Sequence, residues 1–462
     1  MRRLLAFVLL VVLAVAAATV ADHPGTVVVT WQGWEINTSV GVLAAALVVV
    51  ALALWLLILL LAGLVRLPRR FRRNRRERRR RAGELALTRG MIALSAGDGA
   101  GAQRHAARAE LLLGGTPLAL MLGAQAAELG GDEDGARRRY GALLDEKEAA
   151  FFGVRGLIGQ ALKDGDGEDA ARLAARARAL RPNAGWAFET LFALQTRMRR
   201  WEEARETLAD AARRQLLPAA RAEHHRGVIA YELSLAAGQA GEPRRAISLA
   251  ATADTLVHDL AAPAVRHARL LLAEKRNRAA RRVVAQAWQH LPHPDLARVW
   301  SELGGAAPAL AVVTWFEKLA AHNPASVESA VALAEAALAA QLWGEARRHL
   351  GRAVAAQADA PSRRVCLLMA QLEESEHPRE NPAREWFDRA LTAAPDPRYV
   401  CTRCGAESAE WGALCGHCHG FDTLAWRSAL PAASAISPAA ASGALLPMSG
   451  GLTAAMGAPE RR

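Results

Sequence analysis

The chain has 462 residues, of which 52% are hydrophobic and only 5% aromatic, with a net charge of +12. That length suffices for two or three domains, and the alanine-rich, aromatic-poor composition suits close-packed helices better than a β-sandwich. The charge would suggest nucleic acid if it were spread, but Arg66 to Arg81 holds eleven arginines and Glu77, so this run supplies +10 and the rest of the chain +2. One local cluster explains the charge, which argues against a nucleic-acid partner.

Residues 4 to 20 are apolar apart from Thr19 and follow Arg2 and Arg3. They read as a first membrane span; in the alternative, a cleavable signal peptide, Thr19-Val20-Ala21 is the cleavage site. Val40 to Val65 is uncharged for 26 residues. At ~1.5 Å per residue it is longer than a hydrocarbon core of ~30 Å requires. The loop between the two runs has Asp22 and Glu35 but no Lys or Arg, whereas arginines flank the outer ends. The positive-inside rule then places both termini in the cytoplasm. Trp31 and Trp34 fit an interfacial aromatic belt. The Arg66–Arg81 cluster sets orientation and suits anionic lipid headgroups; only Phe71 interleaves it, which is poor for RNA.

Beyond the arginines a 34-residue period appears. Ala102, Ala136, Ala170 and Ala204 are each 34 apart. Residues four and seven later fall on the same helix face: Ala106, Tyr140, Ala174, Leu208, then Ala109, Leu143, Ala177, Ala211. Twelve residues before the first two alanines lie Gly90 and Ala124, the small residues of a preceding helix. Ile158 and Phe192 break that rule. The phase slips by eight residues and resumes at Ala246 and Ala280. Trp343, Ala346, Leu350 and Ala353, then Ala383, Phe387 and Ala390, mark the last units. This is the tetratricopeptide (TPR) pattern, with about nine helix pairs between Gly83 and Pro397. The expected architecture is all-α: a transmembrane hairpin over 1–65, a basic segment over 66–82, and an α-solenoid over 83–397. Such a solenoid offers a concave surface for protein partners.

A metal ribbon is expected over 398–427. Cys401-x2-Cys404 and Cys415-x2-Cys418 have the spacing of a closed tetrahedral S4 site. The expected ion is structural zinc, with iron in a rubredoxin-like site as the alternative. His417 and His419 are spare donors, and Trp411 and Trp426 are expected to pack around the knuckles. Residues 428–462, rich in Ala, Ser, Pro and Gly, read as a disordered tail. His105 reads as a solvated face residue. His293, between Pro292 and Pro294, has the side chain of an axial heme ligand but the setting of a turn residue.

Several segments resemble the HemY N-terminal family of proteobacteria: Gly33-Trp34-Glu35-Ile36-Asn37-Thr38-Ser39, the second span, the arginine run, and Leu87-Thr88-Arg89-Gly90-Met91-Ile92-Ala93. Pro292-His293-Pro294-Asp295-Leu296 and Ala383-Arg384-Glu385-Trp386 are similar to it as well. The resemblance implies an inner-membrane TPR protein associated with late heme (porphyrin) biosynthesis, and it brings no catalytic residues. No flavin fingerprint G-x-G-x-x-G on a strand–helix unit occurs. The segment from Tyr399 to Trp426 resembles the small metal ribbons of RadA and of the lipopolysaccharide assembly protein LapB, a membrane-anchored TPR protein. An envelope-assembly adaptor is therefore the alternative to a heme-pathway scaffold. No nucleophile–base constellation, phosphate loop or open metal position is legible, so the expectation is a protein that is not an enzyme. Heme or porphyrin binding has no motif of its own in the chain.

Overall fold

The computed structural model describes residues 25–31, 34–358, 360–377 and 382–427. The first apolar run and the C-terminal tail lie outside the described residues. The loop expected between two spans contains a β-hairpin, β1 (Thr26–Trp31) and β2 (Trp34–Ser39), with Val28 opposite Asn37. The all-α expectation is corrected there: Val27, Val28 and Val29 are β-branched and sit beside Thr and Ile, residues that favour strands.

Helix α1 (Val40–Ser95) is a single element of 56 residues. It joins the apolar stretch, the arginine run and the first repeat helix without a break. Val40–Ile58, with mean hydropathy 2.9, is the one described stretch long and apolar enough to cross a membrane. Arginine is a good helix former; Pro68 is the one residue of the basic run that disfavours a helix interior, and the helix continues through it.

The chain forms two compact units, Met1–Leu143 and Leu144–Arg462. In the first, the end of α1 pairs with α2 (Gly99–Leu113), and α3 (Pro117–Leu129) pairs with α4 (Glu133–Ala142). In the second, the pairs are α5 (Ala150–Lys163) with α6 (Gly167–Leu180) and α7 (Gly185–Arg197) with α8 (Trp201–Arg213). They continue as α9 (Ala219–Gln239) with α10 (Pro243–Leu256) and α11 (Ala261–Ala273) with α12 (Asn277–His290). The last are α13 (Pro294–Gly304) with α14 (Ala309–Ala320), α15 (Val327–Ala339) with α16 (Trp343–Ala356), and α17 (Arg363–Glu376) with α18 (Ala383–Thr392). The nine pairs among the described residues match the sequence period.

The register alanines Ala102, Ala136, Ala170, Ala204, Ala246, Ala280 and Ala346 are all fully buried. They sit where the two helices of a pair cross, and only a small side chain lets the backbones approach. A Cβ on Gly90 would come within 2.5 Å of Leu122 and 3.3 Å of His105. His105 is thus half-buried beside that crossing, not a freely solvated face residue. Eight of the nine pairs turn through a described residue in the left-handed region: Gly97, Gly131, Gly165 and Arg199 at 34-residue spacing, then Gly241, Lys275, Gly305 and Gln341. The next residue caps the second helix in the first three turns. Asp98, Asp132 and Asp166 accept from the N–H of Gly101, Gly135 and Asp169, the expected use of a short acidic N-cap. One expected core position fails: Phe387 is largely exposed, although Ala390 three residues on is buried.

The eight-residue slip has a structural cause. Helix α9 has 21 residues where α7 has 13. Ser234 occupies the usual position, twelve residues before Ala246, and its hydroxyl donates to the Ala246 carbonyl at 2.9 Å. The extra length, about two helical turns, therefore lies at the N-terminal end of α9.

Candidate metal centre and its docking face

The ribbon is a three-stranded antiparallel sheet in the order β4-β3-β5, formed by β3 (Arg398–Cys401), β4 (Glu407–Ser408) and β5 (Leu424–Arg427). Tyr399 pairs with Trp426 and Cys401 with Leu424. Two matching turns present the cysteines. Gly405 N–H donates to the Cys401 carbonyl, and His419 N–H donates to the Cys415 carbonyl, each at 2.9 Å. Gly405 and His419, directly after the second cysteine of each pair, both have positive φ, 74° and 53°. Gly416, inside the second cysteine pair, is not among the residues with positive φ; His419 takes the position equivalent to Gly405.

The four sulfurs of Cys401, Cys404, Cys415 and Cys418 lie within 4.8 Å of one another. Cys401 Sγ is 3.7 Å from Cys418 Sγ, and Cys404 Sγ is 3.7 Å from Cys415 Sγ. A tetrahedron with metal–sulfur bonds of ~2.3 Å has edges of about 3.8 Å, so the cluster already has the dimensions of a filled S4 site. Arg403 N–H points at Cys401 Sγ from 3.4 Å, and Thr423 Oγ1 lies 3.3 Å from the same sulfur. Burial pushes the Cys401 thiol up, but hydrogen bonds from Thr423 and the backbone outweigh it and bring it to about 6. That favours the thiolate, the form that binds metal, at Cys401, whereas burial pushes the thiols of Cys404 and Cys418 up, Cys418 to about 12. His417 and His419 are exposed, and among the described residues the metal-sized cluster contains only the cysteines.

The ribbon does not hang free behind the last helix pair. It shares a hydrophobic core with α7, α8 and α9: Tyr399, Trp411, Ala413 and Leu424 pack in one cluster with Phe192, Trp201, Val228 and Leu233. Phe192, the bulky residue at a small position, meets Phe421 edge-on at 5.2 Å, and Trp201 lies 6.3 Å from the same ring. Its departure from the repeat rule is thus a contact with the ribbon. The added turns of α9 bring His224 and His225. His224 Nε2 lies 3.0 Å from an Asp422 carboxylate oxygen, and His225 Nε2 lies 3.7 Å from it. Hydrogen bonding to Asp422 holds His224 above its ordinary value, whereas burial holds His225 below it. Further along α9, Glu232 accepts from Ala413 N–H at 3.3 Å, and burial raises its carboxyl. Tyr231 meets Trp411 at 5.0 Å, and burial pushes its phenol to about 12.

His293 anchors the other side. It is the N-cap of α13, and its Nδ1 accepts from Asp295 N–H at 3.2 Å. Nε2 then carries the proton and faces Tyr399 Oη at 3.3 Å, with the Trp426 ring at 4.3 Å. Both nitrogens are committed to protein groups, so His293 is a capping and docking residue, as a turn residue should be, and is not set out as an axial ligand. Trp411 packs in one cluster with Cys401 and Cys415, as expected, and also meets Tyr231 of α9; Trp426 is corrected, since it contacts His293 and Tyr399 rather than the knuckles. The sequence signals for this face were the phase slip and the Phe192 exception.

Residues 25–131 match the family described as HemY protein N-terminus, which bears out the resemblance read from the sequence over that region. A curated relative, the "Probable magnetosome protein Mms48" of Magnetospirillum gryphiswaldense, is 28% identical over 426 residues, covering 91% of this chain and 92% of the relative. Among solved structures, Naa15/Naa10 bound to HypK-THB has a TM-score of 0.38 at 14% identity, over 67% of this chain and 58% of that one. Pseudomonas aeruginosa pilF has 0.22 at 16% identity, over 54% and 96%. Scores of this size add nothing to the fold, which rests on the helix pairs themselves. The chain is a membrane-associated helical-repeat protein with a group of four cysteines able to hold a metal ion.

Proposed function

We propose that this protein is an inner-membrane scaffold that gathers partner proteins of late heme biosynthesis on the cytoplasmic face, through its helical repeats and without chemistry of its own. The observation that carries the reading is the span of the family match: residues 25–131 take in the hairpin, the apolar stretch, the arginine run and the first helix pair. What is recognised is a membrane anchor built in one piece with a repeat domain, an arrangement suited to holding proteins at a bilayer. The arginine asymmetry supports the cytoplasmic orientation, and it suits anionic lipid contact near the membrane.

The relative carries a magnetosome name rather than a heme name. The resemblance extends over nearly the whole of both chains, which supports a shared architecture, while the heme association rests on the family match at residues 25–131. In the ribbon, Cys401, Cys404, Cys415 and Cys418 would hold one zinc ion, with iron as the alternative. Four thiolates leave no open position, so the ion supplies a cross-link, not a reaction. The folding of a metal ribbon onto TPR-like helices favours one second reading, a LapB-like adaptor for a membrane protease or lipid-synthesis enzyme.

Affinity capture from detergent-solubilised membranes, with mass spectrometry and an absorption spectrum, tests both. Heme-pathway enzymes or a porphyrin Soret band are expected. Recovery of a protease or a lipid-synthesis enzyme without them would replace the first reading by the second. A reporter fused after residue 430 should be active only as a cytoplasmic reporter, and periplasmic activity would overturn the orientation.

A further inference from the structure

A groove of about 890 Å³ opens between α13, α15 and α17. Its apolar lining includes Val312, Phe316, Val327, Val331, Val365 and, from the ribbon, Trp426. Trp426 is 37% exposed, an unusual state for a tryptophan whose other contacts, with His293 and Tyr399, are in the core. The charged side chains of the groove are mostly paired: Arg298 with Asp295, and Arg364 with Glu328 and Glu335. Arg364 donates from Nε and Nη2 to Glu335 at 3.0 and 2.8 Å, and from Nη1 to both Glu328 oxygens at 2.9 and 3.2 Å. Its backbone N–H goes to Asp396. An apolar face whose ions are already paired favours an uncharged apolar occupant over a charged one.

One segment of the chain has that chemistry and starts at the rim. Described structure ends at Arg427, one residue after Trp426. From Ser428 to Pro459 the sequence has no Asp, Glu, Lys or Arg, and it carries Leu430, Ile436, Leu445, Leu446, Met448 and Leu452. The segment also carries Pro431, Pro438 and Pro447, residues that disfavour a helix interior. We propose that the C-terminal tail, residues 428–459, occupies this groove in cis, as a built-in competitor that a partner must displace. The tether makes this feasible, because a short link gives a local concentration of about 1 mM. An intrinsic affinity of only about 0.1 mM then fills the groove roughly ten to one and weakens any partner at this face about tenfold. The inference goes beyond the scaffold reading and holds whichever pathway the partners belong to.

The test compares the full chain in detergent with a chain ending at Arg427, by hydrogen exchange at residues 327–339 and 363–376. Removing the tail should speed exchange there about tenfold, and a fluorescein-labelled peptide of residues 428–459 should bind the shortened chain and restore protection. In the full chain, Val327→Asp should reproduce the shortened chain's exchange. An acid in the first turn of α15 is compatible with the helix. Ser301→Trp, at an exposed position on the α13 wall, is a second block should Val327→Asp disturb folding. Equal exchange with and without the tail, and no peptide binding at about 1 mM, would overturn the proposal. So would protection that appears only as protein concentration rises, which would assign the groove to a second copy.

Discussion

The helix pairs and the ribbon are held together by opposite means. A register alanine such as Ala170 is buried within its own pair and the adjoining helices, so each unit's contacts are near in sequence. The ribbon's contacts are remote: Ala413 reaches Glu232 across 181 residues, and Tyr399 reaches His293 across 106. A repeat can lose a neighbour and keep most of its own core. The ribbon, from Arg398 to Arg427, is too short to build one and leans on the face it borrows from α7, α8, α9 and α13; an ion held by its four cysteines would add a cross-link.

The largest expected effect breaks the ribbon. Cys404→Ser should release the ion, measured by elemental analysis, and unfold residues 398–427. Structural zinc in small domains is worth about 10–16 kcal/mol, more than the docking contacts can replace. Because Phe192, Trp201, Val228 and Leu233 share the ribbon's core, the damage should extend to α7–α9. Their hydrogen exchange should accelerate, while α2–α4 keep their protection. Unchanged exchange in α7–α9 after metal loss would make the docked arrangement unimportant to the repeats.

The next effect separates the two regions from the other side. Ala170→Trp overfills a fully buried crossing and should cost about 1–3 kcal/mol or more. The metal should stay bound, since Ala170 lies outside the cluster that holds the ribbon. A thermal melt together with metal content distinguishes this from ribbon loss.

The same contrast explains what the sequence discloses. Repeat register, pair number and the four thiols are local patterns, visible as spacings of 34 and of three. The N-cap aspartates Asp98, Asp132 and Asp166 were equally local and went unread, as did the left-handed turn residues before them. Where the ribbon lies depends on contacts more than a hundred residues apart, which no spacing encodes. Two irregularities marked it nonetheless: the eight-residue slip, which is the lengthened N-terminal end of α9, and Phe192 at a small-residue position. The hairpin β1–β2 was missed because its position between two apolar runs read as a connecting loop. Exposed Phe387 shows the converse error, a residue in register that the described residues cover only in part.

A smaller effect concerns pH and the docking face. Burial is the first cause holding His293 down to about 4; Asp295 opposes it, and Arg298 and Arg364 add to it. A histidine whose folded value lies below its unfolded value of about 6.5 takes up its proton more readily when released. Its contribution is therefore complete above pH 6.5 and is lost as pH falls toward 4. His225, lowered by burial, acts in the same direction, whereas His224, raised by Asp422, contributes below pH 6.5 and loses that contribution as pH rises through its raised value. His293→Asn keeps a side chain able to cap α13 but removes the titration. It should weaken ribbon protection at pH 7.5 and flatten its decline between 6.5 and 4. Acid also protonates thiolates, so metal content is followed in the same samples. Identical acid profiles in the two proteins would remove His293 from the pH response.

The smallest expected effect calibrates the others. Arg172 and Asp169 form an ion pair at 2.9 Å on α6, three residues apart, with the Arg172 side chain 77% exposed. It lies on the same helix as Ala170, and only its solvation differs. Arg172 keeps most of its water and Asp169 stays partly exposed, salt screens the pair, and holding a long side chain in one rotamer costs entropy. Arg172→Gln should therefore change stability by less than about 0.5 kcal/mol, against ~1–3 kcal/mol or more for Ala170→Trp two positions away. Thermal melts of both variants in one buffer make the comparison. A large loss from Arg172→Gln would mean that this face of α6 is covered in the assembled protein, and the repeat would then owe part of its stability to a partner rather than to its own neighbours.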